Sequence, residues 1–75
     1  MNMNILIYTT QTCTYCNLAK NLLKEKKLQF TEINIETDLN IFKELIKKTS
    51  HKTVPQIFIN EKFIGGYTEL YEYLK

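Results

Sequence analysis

The sequence predicts a small α/β fold with the element order β-α-β-α-β-β-α. Three observations support this prediction: short β-branched runs alternate with stretches of helical periodicity, the connections are short, and a proline and two adjacent glycines punctuate the last third of the chain. A chain of 75 residues has room for one domain, so residues 1–75 are expected to form a single unit. Its composition, 44% hydrophobic and 24% charged, is typical of a globular protein.

The first half of the chain predicts two strands, each followed by a helix. An apolar run predicts a strand at residues 5–9, and a 3.6-residue period predicts a helix from Cys13 to about Lys27. The predicted apolar face of this helix comprises Tyr15, Leu18, Ala19, Leu22 and Leu23. Because the two strands are joined through a helix, they are expected to be parallel.

The second strand is predicted within residues 29–35, where polar and apolar side chains alternate. A second helix follows, with Thr37 or Asp38 as its N-cap. Its predicted apolar stripe comprises Ile41, Phe42, Leu45 and Ile46.

The last third predicts a hairpin and a closing helix. Pro55 restricts the residue before it to an extended conformation and so marks the approach to a strand. The strand, tight turn and returning strand are predicted at residues 56–59, 60–61 and 62–64. Gly65 and Gly66 then end the hairpin, and a short helix capped near Thr68 is expected to close the chain.

The charge pattern argues against several classes of partner. The ten basic residues are all lysines, and eight acidic residues are scattered among them, for a net charge of +2. There is no basic stripe for nucleic acid, no arginine fork for carboxylates and no apolar run long enough to span a membrane. The start, "MNMNILIY", lacks the basic segment of a secretory signal, so we expect a cytoplasmic protein.

The two cysteines, Cys13 and Cys16, lie three positions apart at the start of the first predicted helix. Unpaired N–H groups of the first turn and the positive end of the helix dipole favour a thiolate at Cys13. Cys16, one turn inside the helix, is expected to be more buried and to stay protonated until needed. These different surroundings predict that Cys13 attacks a target disulfide and that Cys16 resolves the resulting mixed disulfide.

Two other uses of the cysteine pair are weaker explanations. A disulfide over three positions joins no distant parts of a chain, and structural disulfides are rare in reducing compartments. A zinc site needs two more soft ligands, and the chain has only His51 to add. A C-x-x-C motif beside a β-α-β pattern therefore favours a thioredoxin-like redox pair.

Two segments resemble the glutaredoxin family: "YTTQTCTYCNLAKNLL" and "TVPQIFINEKFIGGYTEL". The similarity runs from residue 5 to about residue 73, and the type it matches carries two cysteines. It implies a single glutaredoxin domain with a thioredoxin-like fold, a four-stranded mixed sheet in the order 2-1-3-4 flanked by helices, and a cis peptide bond before Pro55 that faces Cys13. The implied activity is glutathione-dependent reduction of protein disulfides and of glutathione mixed disulfides.

The resemblance also implies a glutathione site. In the family, the backbone of the residue before the cis-proline, here Val54, pairs with the cysteine of glutathione. The two glycines let the chain approach the ligand, and the turn that follows them holds the γ-glutamyl carboxylate. The residues expected to bind glutathione are Tyr15, Lys52, Thr53, Val54, Pro55, Gly66, Tyr67, Thr68 and Glu69.

Several positions depart from the family pattern, among them Thr68, which stands where the family often has an acidic residue and leaves Glu69 as the acid. Thr14 replaces the usual proline after the first cysteine, and Thr10 replaces a usual lysine. Phe42 stands where the second helix often supplies a polar contact to the glycyl carboxylate of glutathione. With these groups missing, Lys52 is the cation expected near that carboxylate, and binding is expected to be looser at the glycyl end.

The expected partners follow from the same resemblance. Glutathione acts as co-substrate, glutathione reductase lies upstream, and targets are disulfide-bearing or glutathionylated proteins, with ribonucleotide reductase as one candidate; the chain is expected to be a monomer. One alternative is a [2Fe-2S] cluster held between two chains by Cys13 of each and two glutathiones, as in some relatives with a hydroxyl residue in place of the proline. Another alternative is an electron donor served by thioredoxin reductase.

Overall fold

Four strands and three helices follow one another in the predicted order. The computed structural model describes residues 3–75, so the first two residues of the predicted domain lie outside the described part. The strands are β1 (Ile5–Thr9), β2 (Thr31–Asn34), β3 (Gln56–Ile59) and β4 (Lys62–Gly65). The helices are α1 (Thr14–Glu25), α2 (Leu39–Thr49) and α3 (Tyr67–Tyr73), and a single 3-10 turn at Ile35–Thr37 precedes α2.

The strands form one mixed sheet in the order β2-β1-β3-β4. The pair β1 and β2 is parallel, as the helical crossover between them requires, and the other two pairs are antiparallel. The tight turn between β3 and β4 is confirmed, because Asn60 and Glu61 both have positive φ, the geometry of a two-residue hairpin loop. The predicted strand order is therefore confirmed.

The main core lies between one face of the sheet and the helices α1 and α3. Side chains alternate along β1, so Ile5 and Ile7 are buried there while Tyr8 points to the opposite face. The buried cluster comprises Ile5, Ile7, Ala19, Leu23, Ile57, Ile59 and Leu70. On the opposite face the ring of Phe58 contacts Tyr8, and Lys48 of α2 lies over that ring, so both faces of β3 are covered.

The helix α1 begins one residue later than predicted and ends at Glu25. Its predicted apolar face is correct only in part, because Tyr15 is 60% exposed and Leu18 is 40% exposed. Both lie in the first half of the helix, whereas Ala19 and Leu23 are the residues that reach the core. Apolar spacing alone does not distinguish side chains that meet the sheet from side chains that lie beyond it.

The predicted N-cap is correct for α2 and wrong for α3. Asp38 is the N-cap of α2, and its carboxylate accepts a hydrogen bond from the N–H of Asn40 at 2.9 Å. The cap of α3 is Gly66 and not a residue near Thr68, because the Glu69 side chain accepts the Gly66 N–H at 2.7 Å and so fixes an earlier start. Within residues 3–75, no helix has the length and apolar character needed to cross a bilayer.

Candidate active site

Cys13 is the N-cap of α1, and its sulfur lies directly at the start of the helix. The sulfur accepts a hydrogen bond from the backbone N–H of Cys16 at 3.1 Å. The two cysteine sulfurs are bonded to each other, with Cα atoms 5.2 Å apart, so the structure is that of the oxidised pair. Cys16 is fully buried, while Cys13 is partly exposed. Only Cys13 is therefore open to a partner.

The surroundings of Cys13 favour a thiolate when the pair is reduced. The sequence predicts that Cys13 is the first residue of the helix. In the structure Cys13 is instead the N-cap, one position before the helix. A side chain at the N-cap can accept hydrogen bonds from the N–H groups of the first turn. No acidic residue lies in the first turn of α1 to offset the positive end of its dipole. The helix start thus supplies both a donor and a favourable field to the sulfur.

The loop before Cys13 is held by the 3-10 turn that precedes α2. The Gln11 N–H donates to the Glu36 carboxylate at 2.6 Å, and the Glu36 N–H in turn donates to Asn34 Oδ1 at 2.8 Å. This charge-assisted hydrogen bond fixes the loop two residues before Cys13. Glu36 was not among the residues singled out from the sequence, because nothing in its local pattern marks a contact 25 positions away.

A second polar contact links the end of β1 to α1. The hydroxyl of Thr9, fully buried, donates to Glu32 Oε2 at 2.6 Å, and Lys20 Nζ lies 3.0 Å from the same oxygen. The Thr9 hydrogen bond, aided by Lys20, outweighs the opposing effect of burial and holds the pKa of Glu32 below its ordinary value of 4.5. The three side chains join β1, β2 and α1.

The Val54–Pro55 peptide bond is cis, as the family resemblance implies. The Val54 carbonyl oxygen lies 3.8 Å from Cys13 Sγ, although the two residues are 41 positions apart. Pro55 is buried, and β3 begins only at the next residue, so the Val54 backbone lies before the paired part of the strand. The loop before β3 therefore contacts the dithiol directly.

A buried glutamine fixes this loop. Gln56 is 1% exposed, and its Nε2 donates to the carbonyls of His51 at 2.7 Å and Thr53 at 3.0 Å. Its Oε1 accepts the Thr49 hydroxyl at 2.8 Å, so every polar atom of the amide has a partner. The sequence analysis did not assign this role to Gln56. A glutamine in an otherwise apolar strand is nevertheless a signal for a buried side chain with hydrogen-bond partners.

Of the two glycines, Gly65 lies against Glu69 and Gly66 lies beside the cis-proline loop. Gly65 has φ +131°, and a Cβ there would lie 2.6 Å from Glu69 Cγ, so neither backbone nor space suits a side chain. A Cβ on Gly66 would lie 3.4 Å from the Pro55 carbonyl oxygen. Because Gly66 has no side chain, its backbone can therefore lie close to Pro55.

The remaining predicted site residues differ in how they are placed. The rings of Tyr15 and Tyr67 lie 6.1 Å apart, which joins the C-x-x-C motif to the start of α3. Lys52, Thr53 and Thr68 are exposed. Within residues 3–75, Lys52 makes no ion pair, and no group of three or more His, Cys, Asp or Glu side chains is arranged to hold a metal ion.

Comparisons with known proteins agree with this geometry. The glutaredoxin family model matches residues 5–64. Over 68 residues the chain is 46% identical to glutaredoxin 3 of Escherichia coli K12, a match that spans 91% of this chain and 82% of that relative. The protein belongs to the glutaredoxin family. This glutaredoxin is of the dithiol type, with Cys13 and Cys16 as its C-x-x-C pair, and is a glutathione-dependent thiol-disulfide oxidoreductase.

Two solved glutaredoxins support the fold. Glutaredoxin 1 of Francisella tularensis, complexed with cacodylate, superposes with a TM-score of 0.83 at 34% identity and covers 96% of this chain and 92% of its own. A buckwheat glutaredoxin complexed with glutathione gives a TM-score of 0.89 at 25% identity, covering 96% of this chain and 68% of its own. The thioredoxin-like α/β fold is therefore confirmed, and glutathione is the partner of this family member.

Proposed function

We propose that this glutaredoxin reduces protein disulfides with both cysteines and glutathione mixed disulfides with Cys13 alone. The observation that carries the proposal is the difference between the two sulfurs: Cys13 is partly exposed and accepts an N–H at the helix start, whereas Cys16 is fully buried. Attack on an external disulfide therefore belongs to Cys13. Resolution from within belongs to Cys16, which lies one helical turn away.

The proposed dithiol route consists of four successive thiolate attacks. The Cys13 thiolate attacks the target disulfide, forms a mixed disulfide and releases one target thiolate. The Cys16 thiolate then attacks Cys13 Sγ, releases the second target thiol and leaves the oxidised pair seen here. One glutathione thiolate reopens that pair by attacking Cys13, and a second attacks the glutathione sulfur, releasing the Cys13 thiolate and glutathione disulfide. Glutathione reductase would then regenerate glutathione from glutathione disulfide. The proposed compartment for this cycle is the cytoplasm, which is reducing.

The proposed glutathione groove runs from Lys52 to Glu69 across the dithiol. Val54 supports this, because its carbonyl already lies 3.8 Å from Cys13 Sγ, so a peptide attached to that sulfur would meet the Val54 backbone. Gly66 leaves the adjoining space open, since it carries no side chain beside Pro55. The proposed lining comprises Tyr15, Lys52, Thr53, Val54, Pro55, Gly66, Tyr67, Thr68 and Glu69.

The ends of glutathione would meet different chemistry. At the γ-glutamyl end, the Thr68 hydroxyl and the first N–H groups of α3 suit the carboxylate, and the Glu69 carboxylate suits the ammonium group. At the glycyl end, Lys52 is the proposed cation, and Thr10 and Phe42 offer no charge. Binding is accordingly proposed to be weaker at the glycyl end.

Cysteine variants test the proposal. Cys13→Ser should lose turnover with both a protein disulfide and a glutathionylated protein, because it removes the attacking sulfur. Cys16→Ser should lose the first activity and keep the second, measured in a coupled assay with glutathione and glutathione reductase. Full turnover by Cys13→Ser with either substrate, or loss of deglutathionylation in Cys16→Ser, would contradict the assignment.

A second candidate is a [2Fe-2S] cluster between two chains. The observation that favours it is that each chain presents one accessible cysteine sulfur, Cys13, beside a hydroxyl residue, Thr14, in place of the family's proline. One such sulfur cannot complete a cluster, so two chains and two glutathione thiolates would be needed. Anaerobic reconstitution with iron, sulfide and glutathione should give visible absorption and a dimer if the candidate holds; a colourless monomer argues against it.

A further inference from the structure

Three tyrosines form a row that begins at the dithiol and extends beyond the proposed glutathione groove. Ring centroids are 6.1 Å apart between Tyr15 and Tyr67, and 6.4 Å apart between Tyr67 and Tyr71. Tyr15 is 60% exposed and Tyr71 is 49% exposed. Leu18, one turn along α1 from Tyr15 on the same helix face, adds a 40% exposed apolar side chain. Burial in the core does not account for this exposed aromatic surface.

The spacing of the three tyrosine rings fits the side-chain repeat of an extended peptide. In an extended peptide, side chains on one side recur every second residue, at a distance of about 6.6 Å. The two ring separations are close to that repeat. An extended segment lying along the row would place side chains at alternate positions over successive tyrosine rings.

The location of the row determines what such a segment must contain. Tyr15 lies two residues after Cys13, and a mixed disulfide on Cys13 ties the target cysteine to this end of the row. Residues that flank the target cysteine in sequence are therefore brought within reach of Tyr67 and Tyr71.

We propose that the row Tyr15–Tyr67–Tyr71 is a docking surface for the extended segment around the target cysteine, and that it selects apolar side chains at alternate positions from that cysteine. The inference rests on the proposed function, since it requires attack by Cys13 on a protein disulfide. Contact between an apolar side chain and an aromatic ring removes apolar surface of both from water, which typically contributes about three- to tenfold in affinity. Tyr71 is thereby a specificity-determining residue.

The chain offers a matched control on the same helix. Tyr73 is 52% exposed, similar to Tyr71, but follows it by two residues and so lies on nearly the opposite side of α3, next to Glu72 and β4. Tyr71→Ala and Tyr73→Ala remove equal rings from one seven-residue helix. Only the first removes a member of the row.

The test uses two synthetic peptides, each with one cysteine linked by a disulfide to thionitrobenzoate. One peptide has leucine at the second and fourth positions on both sides of the cysteine, and the other has serine there. Reduced protein is mixed with each peptide in a single turnover. Cys13 forms a disulfide with the peptide and releases coloured thionitrobenzoate, the better leaving group, and Cys16 then releases the peptide thiol and leaves the oxidised pair.

Wild-type protein should react about three- to tenfold faster with the leucine peptide than with the serine peptide. Tyr71→Ala should lose this preference, Tyr71→Phe should retain it, and Tyr73→Ala should leave both rates unchanged. Equal rates for both peptides with wild-type protein, or an equal loss in Tyr71→Ala and Tyr73→Ala, would overturn the docking surface. Failure of wild-type protein to release thionitrobenzoate from either peptide would instead count against the proposed function.

Discussion

At the scale of single residues, the groups that favour a thiolate at Cys13 belong to the backbone at the start of α1. Thr10 and Thr14 stand where the family often has a lysine and a proline, so neither a nearby cation nor a fixed φ is supplied. The sulfur instead accepts the Cys16 N–H at the N-cap of α1. Thr14 is the first helical residue, a position at which proline is favoured because its φ suits the helix and its missing N–H is not needed.

The Lys52 side chain is predicted to contribute to glutathione affinity. Lys52→Ala should raise the Michaelis constant for glutathione about two- to fivefold, because a solvent-exposed ion pair is worth up to about 1 kcal/mol. The increase should shrink at high salt, where exposed charges are screened. The control is Lys26→Ala, which removes an equivalent lysine at the C-terminal end of α1, away from Cys13. An unchanged Michaelis constant in Lys52→Ala would rule out the assignment.

At the scale of elements, the site depends on how the loop before β3 is attached to α2. Gln56 lies at the start of β3 and bonds the carbonyls of His51 and Thr53, while Thr49 at the end of α2 bonds the same amide. The Thr49 hydroxyl also accepts the His51 N–H at 3.1 Å. The loop that brings Val54 to Cys13 is therefore attached to α2 and to β3 by hydrogen bonds that centre on the buried Gln56 amide.

Removing the Gln56 amide should loosen this loop. Gln56→Met leaves two carbonyls without a donor, so the free energy of unfolding should fall by about 1–3 kcal/mol. The Michaelis constant for glutathione should rise as the Val54 backbone loses its fixed position. Thr49→Val should act in the same direction and Thr49→Ser, which keeps the hydroxyl, should not. Stability loss with an unchanged Michaelis constant would limit Gln56 to a structural role.

The contact between Thr9, Glu32 and Lys20 predicts a pH dependence. The pKa of Glu32 is lowered from 4.5 by the folded structure, so its stabilising contribution is present above that pH and is lost as the pH falls through the lower, folded value. Because the side chain is 35% exposed, screening keeps the contribution to less than about 1 kcal/mol. Wild-type protein should therefore exceed Glu32→Gln in urea stability at neutral pH and match it at about pH 2. A difference that persists in acid would contradict the interpretation.

At the scale of the whole molecule, the fold brings together three motifs that are distant in the sequence. The C-x-x-C motif ends the loop after β1, the cis-proline precedes β3, and the glycines follow β4, so strand order places all three at one end of the sheet. Val54 lies beside Cys13, the Tyr15 ring lies beside the Tyr67 ring, and Gly66 lies close enough to Pro55 that a side chain there would contact the Pro55 carbonyl.

Hydrophobic periodicity and short motifs are local signals, so the sequence was sufficient to predict the elements and the redox role of the two cysteines, whereas the strand order came from the family resemblance. Helical spacing did not predict the exposure of Leu18, since it does not show where the sheet ends. The sequence-based prediction also missed Gln56 and Glu36, whose roles depend on backbone groups presented by other segments. Hydrogen bonds between distant segments are set by tertiary structure and leave little trace in a local pattern.

The central claim is that these motifs form a dithiol site served by glutathione. The most direct measurement is reduction of one protein disulfide under two electron supplies: glutathione with glutathione reductase, and thioredoxin reductase alone, each followed by the consumption of nicotinamide cofactor. Turnover should occur with glutathione, because the groove beside Cys13 is proposed to bind it, and should be lost with thioredoxin reductase alone. Turnover supported by thioredoxin reductase and not by glutathione would contradict the account.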